Sequence, residues 1–368
     1  MKVKIGELTK IKTGKLDANA ASEDGQYPFF TCSKEPLSIS TYSYNCECVL
    51  VAGNGDLNVK YYNGKFDAYQ RTYIIEDNGS GKLYIPYLYY FMEGYIEELR
   101  KQAIGGVIKY IKLSNLTDAL IELPSVEEQK SIVEILEKAK RILNKRKDEI
   151  NALDNLIKAR FVELFGDMYL NSKGWPEAKL ESMADIVSGI TKGRKIRNED
   201  LTEVPYMAVS NVKDGYIDWT MVKTIEATRQ EIEQYRLLPN DVLMTEGGDP
   251  DKVGRGAIIK KPLENCIHQN HIFRVRLDES VLLPEFFAEY LQHQRSKRYF
   301  LGCAKQTTGI ASINMKQLRA LPVLVPPLTE QEEFVSFKAE TDKSKVAVQK
   351  ALDETQTLFD SLMQEYFG

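Results

Sequence analysis

An internal repeat limits the fold of this chain more than any other feature of its sequence. Pro124 and Gln129 recur as Pro326 and Gln331, and both pairs are separated by 202 residues. The same offset aligns the segment LIKARFVELFG with LFDSLMQEYFG at the end of the sequence. Just upstream of Pro124 and Pro326, GGVIKYIKLSNL resembles TGIASINMKQL with a slip of one residue. Similarity at a fixed period indicates copies of one structural plan.

Weaker similarities precede these segments, in the same order and at smaller offsets. IGELTKIKTG resembles LESMADIVSG at an offset of 175, YPF resembles VPY at 177, and IPYLYYF resembles LPEFFAE at 198. An offset that grows from 175 to 202 indicates that the second copy carries extra loop residues. The sequence therefore predicts two copies of one plan, residues 1–166 and 167–368.

Each copy ends in a helical pattern. In the first copy, seam residues follow one another at alternating spacings of four and three: Ile132, Leu136, Ala139, Leu143, Arg146, Ile150, Leu153, Ile157, Arg160 and Leu164. In the second copy the pattern is clean only over Val348, Leu352, Thr355, Phe359, Leu362 and Tyr366. Such spacing is typical of a coiled-coil seam. It predicts spacer helices over 126–166 and 328–368, and the seam of the first is roughly 50 Å long. Either these two helices pair antiparallel with each other, or each pairs with another molecule.

The remaining blocks, residues 1–125 and 167–327, are predicted as two heads of short strands. Strand-like runs are CVLVA and RTYIIE in the first head, and DVLMT and HIFRVRL in the second. Each head has one clear helix, over residues 84–102 and 284–300. Turns are predicted at Asn54-Gly55, Asn63-Gly64, Asp214-Gly215 and Gly247-Gly248. The expected fold class is α+β, with two pseudo-repeated heads, each a twisted sheet with small helices, separated by two long antiparallel coiled-coil helices.

The charge distribution keeps nucleic acid among the possible partners. The net charge of −4 argues against DNA at first sight, because Lys and Arg neutralise phosphates. Residues 328–368, however, carry 4 basic and 9 acidic side chains, while residues 1–125 carry 14 and 15. The acidic excess thus lies in one segment. Heads near neutrality can bind DNA through local patches, with a partner protein supplying part of the electrostatic attraction.

Basic, amide and aromatic side chains crowd segments predicted as loops. In the first head these are Lys15, Asn54, Lys60, Tyr61, Tyr62, Lys65, Gln70 and Arg71, and in the second Lys192, Arg194, Lys195, Arg197 and Arg255. Lys109 and Lys305, beside the glycines that lead into each spacer helix, are interpreted as occupying similar places in both copies. Arg and Lys can reach guanine edges or phosphates, and Asn and Gln suit adenine. The competing interpretation for each residue is ordinary solvated surface.

An enzymatic role is not indicated by any motif. The adenine-methyltransferase signature, an Asn or Asp followed by Pro-Pro and an aromatic residue, is absent, since Leu328 follows Pro326-Pro327. GNGDLN lacks the third glycine of a dinucleotide loop, and GITKGRK lacks the length and the Lys-Ser/Thr pair of a phosphate loop. No catalytic residue is predicted. A two-headed coiled-coil adaptor that binds a protein or a carbohydrate remains the alternative from a different class.

Cys266, His268 and His271, spaced C-x-H-x-x-H, are a candidate metal site. On a strand the first two side chains face one side and the third faces the other. Cys46-x-Cys48 has no partner pair at zinc-finger spacing. We therefore expect no bound metal. Five cysteines at irregular spacing favour a reducing compartment, and with no signal-peptide or membrane-span pattern the expected location is the cytoplasm.

Taken together, these segments resemble the specificity subunit of type I restriction-modification systems, over the whole chain. The most specific element occurs twice and runs from a Gly-Val or Gly-Ile pair, through a Leu-Pro or Val-Pro strand end, to Glu-Gln and a long helix. It spans Gly106-Val107 to Glu128-Gln129, and again Gly309-Ile310 to Glu330-Gln331. The opening turns of the two copies, Thr13-Gly14 and Ser188-Gly189, also resemble turns of this family.

The resemblance implies that each head is a target recognition domain that reads one half of an asymmetric, bipartite site in double-stranded DNA. It implies that the spacer helices fix the gap and dock two modification subunits, which methylate adenine with S-adenosylmethionine. A restriction subunit that translocates DNA with ATP and Mg would join some assemblies. This chain would itself be non-catalytic and would bind no cofactor. Recognition domains vary within the family, so no base-contacting residue carries over by motif.

Overall fold

The computed structural model describes residues 2–194, 200–307 and 309–368, and only the backbone at 251, 306, 307 and 310. The chain divides into two compact units. Unit 1 comprises Met1–Ile150 and Ala347–Gly368, and unit 2 comprises Asn151–Val346. Within the described ranges, no helix is both long and apolar enough to cross a lipid bilayer.

Unit 1 is built around a six-stranded sheet with the strand order β2-β7-β5-β6-β3-β4. A second, two-stranded sheet pairs β1 with β8. Its elements are β1 (Lys2–Lys4), α1 (Ile5–Leu8), β2 (Thr9–Thr13), β3 (Tyr27–Phe30), β4 (Leu37–Ile39), β5 (Tyr44–Ala52), β6 (Val59–Ala68), β7 (Thr72–Asp77), α2 (Ile85–Gln102), α3 (Leu113–Thr117), β8 (Leu120–Glu122) and the first part of α4 (Val126–Phe165).

Unit 2 repeats this plan with the central sheet split into two. The strand orders are β10-β17-β13-β15 and β12-β11-β16, with smaller sheets β14-β19-β18 and β20-β9. After the second part of α4, its elements are β9 (Glu177–Lys179), β10 (Ala184–Ser188), β11 (Leu201–Met207), β12 (Lys223–Thr228), α5 (Arg229–Tyr235), β13 (Val242–Thr245), β14 (Gly247–Gly248), β15 (Gly256–Ile258), β16 (Ile267–His268), β17 (Ile272–Leu277), α6 (Pro284–Gln292), α7 (Gln294–Cys303), β18 (Lys305–Thr307), β19 (Ile310–Ser312), α8 (Met315–Arg319), β20 (Pro322–Leu324) and the first part of α9 (Leu328–Phe367). The last part of α9 belongs to unit 1.

The two strand orders match when β15 and β16 together replace β6. Strands β10, β17, β13, β11 and β12 then stand where β2, β7, β5, β3 and β4 stand in unit 1. The second copy breaks the long strand because it carries extra residues between these two pieces. The predicted fold class, two repeated α+β heads with two long antiparallel helices, is confirmed.

Two of the predicted turns are strands instead. Asn63-Gly64 lies inside β6, where Gly64 adopts a φ of 144° within a continuous antiparallel ladder. Gly247-Gly248 forms β14 and pairs with Ser312 and Ala311 of β19. A Cβ on Gly247 would lie 3.1 Å from the Ala311 carbonyl oxygen, so glycine at this position allows β14 to lie close to β19. Consequently Lys60, Tyr61, Tyr62 and Lys65, expected in loops, lie on β6.

The helix predicted over residues 284–300 is two helices, α6 and α7. The chain is extended at His293, with φ −79° and ψ 153°, between them. The buried Ser296 hydroxyl donates to the carbonyl of Tyr290 in the last turn of α6, at 2.9 Å. The same carbonyl accepts from the His293 amide at 3.1 Å, so the end of α6 keeps hydrogen-bond partners where the helix breaks. The apolar periodicity alone does not reveal this break.

The long helices α4 and α9 pair antiparallel within the chain. In unit 2, Arg160 of α4 forms an ion pair with Glu333, and Asp154, earlier in α4, forms one with Lys345, later in α9. Because the earlier residue of α4 pairs with the later residue of α9, the two helices are antiparallel. In unit 1 the two helices share one apolar cluster, which includes Val133, Leu136, Phe359 and Leu362. The alternative, that each helix pairs only with another molecule, is wrong.

Seam positions face inward along both helices. The ten seam residues named on α4 are all buried or half-buried. On α9 the inward-facing seam begins at the buried Gln331 and Phe334, before the apolar sequence pattern that starts at Val348. Its next positions are polar, and Lys338 and Lys345 form ion pairs with Glu289 and Asp154. Polar seam residues held by ion pairs explain why the pattern in the second copy is clean only from Val348.

A buried glutamine joins each head to its long helix. In unit 1 the Gln129 side chain accepts a hydrogen bond from the Tyr84 amide at 2.8 Å and donates to the carbonyls of Lys82 and Pro124. In unit 2, Gln331 accepts from the Leu283 amide at 2.8 Å and donates to the carbonyls of Val281 and Pro326. Both glutamines are fully buried. We call these two matching sets of bonds the glutamine clamps.

Replacing Gln331 by leucine should destabilise unit 2 strongly. The substitution keeps the volume but leaves a buried N–H and two carbonyls without partners, at a cost on the order of 3 kcal/mol or more in total. Chemical denaturation should show this loss. The matched control is Gln349→Leu on the exposed side of α9, which should change stability by less than about 0.5 kcal/mol. Similar small losses in both variants would contradict a structural role for the clamp.

Unit 2 should also lose stability at mildly acidic pH. His268 is fully buried, and burial lowers the pKa of its imidazole to about 4. The unfolded state, with a pKa near 6.5, binds the proton first, so stability falls as the pH drops from about 6.5 toward 4. Unfolding of His268→Gln should depend less on pH over this window than the wild type. An unchanged slope in His268→Gln would refute the prediction.

Candidate nucleic-acid interface

Four segments of unit 1 meet where strands β2, β5 and β7 begin or end. The Gly53 amide donates to the Arg71 carbonyl at 2.7 Å, and the Gly53 carbonyl accepts from Ile111 at 2.9 Å. The Gly55 amide donates to the Lys109 carbonyl at 3.0 Å. Residues 14–16, 53–55, 69–71 and 104–110 are hydrogen-bonded side by side, and we call this region the loop edge of unit 1.

The loop edge of unit 1 brings together five of the predicted contact residues. Besides Arg71 and Lys109 they are Asn54, which bridges to Tyr110, and Lys15 and Gln70. The Lys15 amide donates to the Ala68 carbonyl at 3.2 Å, and the Gln70 amide donates to the Leu16 carbonyl at 2.9 Å. All except the half-buried Asn54 are exposed. Segments far apart in the sequence therefore present three cations and two amides on one edge.

The predicted residues on β6 lie in a different setting. Lys60 is half-buried, and desolvation lowers the pKa of its ammonium. Tyr62 packs with its ring 5.1 Å from that of Phe30. On the opposite face of the strand, the Tyr61 hydroxyl donates to Glu47 at 2.8 Å. These three side chains contribute to the sheet, and the structure does not place them on the loop edge.

The tip of the glycine hairpin in unit 1 is apolar and unusually exposed. Ile104 and Tyr110 pair through two backbone hydrogen bonds of 3.0 and 2.8 Å, so the residues between them form a tight loop. In this loop Val107 is 105% exposed and Ile108 is 63% exposed. Gly105 adopts a φ of 120°, a conformation that suits glycine. Two aliphatic side chains therefore project from the basic edge.

Unit 2 builds a loop edge from the corresponding segments, 189–194, 246–248, 269–271, 305–307 and 309–312. The Glu246 amide donates to the His271 carbonyl at 3.0 Å, and the Glu246 carbonyl accepts from Ile313 at 2.8 Å. Gly247 pairs with Ser312, which pairs in turn with Lys305 on its other side. Glu246 therefore corresponds to Gly53 of unit 1, and His271 corresponds to Arg71.

The predicted contact residues of unit 2 are placed unevenly around this edge. Lys192 and Lys305 are exposed, and Arg255 is half-buried, with its carbonyl bonded to Thr245 at 3.1 Å. Arg194 forms an ion pair with Glu231, and this hydrogen-bonded contact raises the pKa of its guanidinium. Lys195 and Arg197 lie outside the described residues.

Lys109 and Lys305 do not occupy equivalent places, contrary to the interpretation from sequence. Lys109 follows the hairpin turn, and by its backbone pairing it corresponds to the buried Ala311. Lys305 starts the strand before the turn, and pairing with Ser312 makes it the counterpart of Ile104. The one-residue slip in the sequence repeat reflects a hairpin of different length in each copy.

Sequence reasoning missed His271, Gln269, Asn270 and Tyr69 as parts of the loop edges. The signal was present, because FDAYQRT and CIHQNHI align at an offset of 200 and both sit between strands. His271 is exposed and its Nδ1 bonds the Glu246 carboxylate. The sequence pattern alone suggests His271 only as a metal ligand. The other residues of that motif, Cys266 and His268, are fully buried.

Metal-ligand geometry does not link these residues. The Nδ1 of His268 lies 3.1 Å from the Tyr235 carbonyl oxygen. Burial raises the pKa of the Cys266 thiol to about 12. Within the described ranges, no three His, Cys, Asp or Glu side chains form a group that could hold a metal ion.

Comparison with known proteins agrees with the repeated architecture. The profile of the type I restriction modification DNA specificity domain matches residues 1–152 and 172–355. The chain is 28% identical to the type I restriction enzyme EcoDI specificity subunit of Escherichia coli, over 99% of this chain and 87% of that protein. It is 24% identical to the EcoKI specificity subunit of Escherichia coli K12, over 74% of this chain and 62% of that protein.

Solved structures share the fold. A type I restriction-modification S subunit from M. genitalium superposes with a TM-score of 0.63 at 16% identity, covering 100% of this chain and 96% of that one. A chain from a study of complex assembly in the type I system superposes with a TM-score of 0.59 at 16% identity, covering 100% and 97%. With the profile matched in both copies, the chain belongs to the type I restriction-modification DNA specificity family.

Proposed function

We propose that this chain is the DNA-reading subunit of a type I restriction-modification complex, with each head reading one half of an asymmetric bipartite site. The observation that carries the proposal is the repeated loop edge. Both units build it from corresponding segments joined by corresponding backbone hydrogen bonds, yet the side chains it presents differ. One scaffold with two sets of polar side chains suits two different half-sites.

The chemistry of the edges supports a duplex as the ligand. The loop edge of unit 1 presents Lys15, Arg71 and Lys109 together with the amides Asn54 and Gln70. Cations neutralise phosphates, and Arg, Asn and Gln form paired hydrogen bonds with base edges. Because each head is close to neutral overall, the partner subunits would supply part of the attraction for DNA.

Exposed apolar residues on the long helices support docking of modification subunits. Leu156 in unit 2 and Leu358 in unit 1 are equivalent at the offset of 202, and they are 47% and 55% exposed. Ile135 and Ile142, 42% and 38% exposed and seven residues apart on α4 in unit 1, flank the seam. Exposed apolar stripes rimmed by polar residues are typical of protein interfaces. One equivalent leucine in each unit suits two modification subunits.

Within this proposal the chemistry belongs to the partners. Modification subunits would methylate adenine with S-adenosylmethionine, and a restriction subunit, where one joins, would use ATP and Mg. This chain would contribute recognition and positioning and no reacting group. Co-expression with the modification subunit encoded beside it tests the proposal. Sequencing of the host methylome should show one bipartite motif with methylated adenines. A purified complex with no methylated motif, or no complex at all, would favour the two-headed adaptor instead.

Lengthening both helices should change only the gap in the target. Four residues are close to one helical turn, so inserting them after Leu143 and after Lys345, its equivalent, keeps the seam facing inward and adds roughly 6 Å. At about 3.4 Å per base pair, the spacer should grow by one or two base pairs while both half-sites stay the same. Methylome sequencing measures this. A changed half-site with an unchanged spacer would contradict the role of the helices.

Exchange of one head should change one half-site. Replacing residues 1–125 with the first head of another family member leaves unit 2 and its loop edge intact. The methylated motif should then keep one half-site and acquire a new one in place of the other. The reciprocal exchange of residues 167–327 is the control and should alter the opposite half. Simultaneous change of both halves in either chimaera would contradict independent reading by the heads.

A further inference from the structure

One turn is held in the same way in both units. In unit 1 it is Tyr69-Gln70-Arg71, and in unit 2 it is Gln269-Asn270-His271. The Tyr69 amide donates to Phe30 at 2.9 Å, and the Gln269 amide donates to Met207 at 3.0 Å. These acceptors occupy the same place, at the ends of β3 and β11. The two turns therefore start from the same backbone anchor.

The remaining backbone bonds of the two turns also correspond. The Gln70 amide donates to Leu16 at 2.9 Å, and the Asn270 amide donates to Ile190 at 3.0 Å. The carbonyls of Tyr69 and Gln269 accept from Thr72 and Ile272 at 2.8 and 2.9 Å. The carbonyls of Arg71 and His271 accept from Gly53 and Glu246 at 2.7 and 3.0 Å. Four backbone hydrogen bonds fix each turn without using any side chain of the turn.

A glycine presses against each turn and prevents it from shifting. A Cβ on Gly14 would lie 2.1 Å from the Ala68 carbonyl oxygen, and one on Gly189 would lie 2.0 Å from the His268 carbonyl oxygen. Contacts this short with backbone atoms cannot be relieved by rotating a side chain. These are the Thr-Gly and Ser-Gly positions near the start of each copy, so the glycines serve the close packing of this turn.

The side chains on this fixed turn differ between the units at all three positions. Gln70, Arg71 and His271 are exposed, and Tyr69, Gln269 and Asn270 are half-buried. Each of the six can form hydrogen bonds, and Arg, Gln and Asn have the geometry to pair with base edges. Gln70 also bonds Asp17 at 2.9 Å, and His271 bonds Glu246, which limits their rotation. Two domains that recognise different DNA sequences require the same backbone conformation and different polar side chains.

We propose that these two turns are the base-reading elements, with Tyr69-Gln70-Arg71 reading one half-site and Gln269-Asn270-His271 reading the other. The inference rests on the proposed function and names the residues within each loop edge that set the sequence. Lys15 and Lys109, which lie on segments bonded to the first turn or beside it, would contact phosphates and add affinity without specificity.

The test transplants the second turn into the first unit. The variant Tyr69→Gln, Gln70→Asn, Arg71→His is co-expressed with the modification subunit, and the methylome of the host is sequenced. We expect the half-site read by unit 1 to change or relax, while the other half-site and the spacer stay as in the wild type. Arg71→Ala alone should lower discrimination at one base pair by about 10- to 100-fold in competition binding of the purified complex.

The matched control is Ser80→Ala with Lys82→Ala, two exposed residues beyond the opposite end of β7, which should leave the motif unchanged. Co-purification with the modification subunit shows that each variant is folded. A wild-type motif retained at full occupancy by the folded transplant would overturn the assignment of the turns while leaving the proposed function in place. A wild-type chain that directs no methylated motif would overturn both.

Discussion

The glutamine clamp is the interaction on which the rest of each unit depends. A primary amide offers one acceptor and two donors, so one side chain satisfies an N–H and two carbonyls at the junction of head and helix. Gln129 and Gln331 do this with partners at corresponding positions in the two units, and neither side chain is accessible to water. Without such a group, the short connection between sheet and long helix would leave three backbone groups without these hydrogen bonds. The direction in which each head leaves its helix is therefore set by hydrogen bonds as well as by apolar packing.

Backbone and side chains have separate tasks in both loop edges. The segments are held together through amides and carbonyls, and glycines at positions 14 and 189 allow main chains to touch. Because four matching backbone hydrogen bonds hold the central turn in each unit, the residues at those positions can differ. The polar seam of α9 follows a related logic, since Lys338 and Lys345 lie at inward positions and are paired with carboxylates.

Much of this architecture could be predicted from the repeat and the heptad spacing. The two long helices, their antiparallel pairing and the mixed heads follow from patterns that burial imposes on a sequence. Other features depend on contacts between distant residues. The break at His293 is stabilised by a serine hydroxyl, and Asn63-Gly64 continues a strand because its partner strand β5 extends past it. Lys109 and Lys305 were paired wrongly because a hairpin that differs by one residue moves a side chain to the other strand. The loop edges could be predicted only in part, because Arg71 is charged, whereas Tyr69 in the same turn and Asn270 in the turn of unit 2 are not.

The division of the chain into units has a consequence for biosynthesis. Unit 1 needs residues 347–368, whose Phe359, Leu362, Tyr366 and Phe367 pack against its core. A ribosome delivers these residues only after all of unit 2 has been made. The first head must therefore wait with part of its apolar surface uncovered, whereas unit 2 is formed from one continuous stretch and can complete its core earlier. Translation errors that remove the last turns of α9 would damage the beginning of the protein, because the last helix closes the first unit.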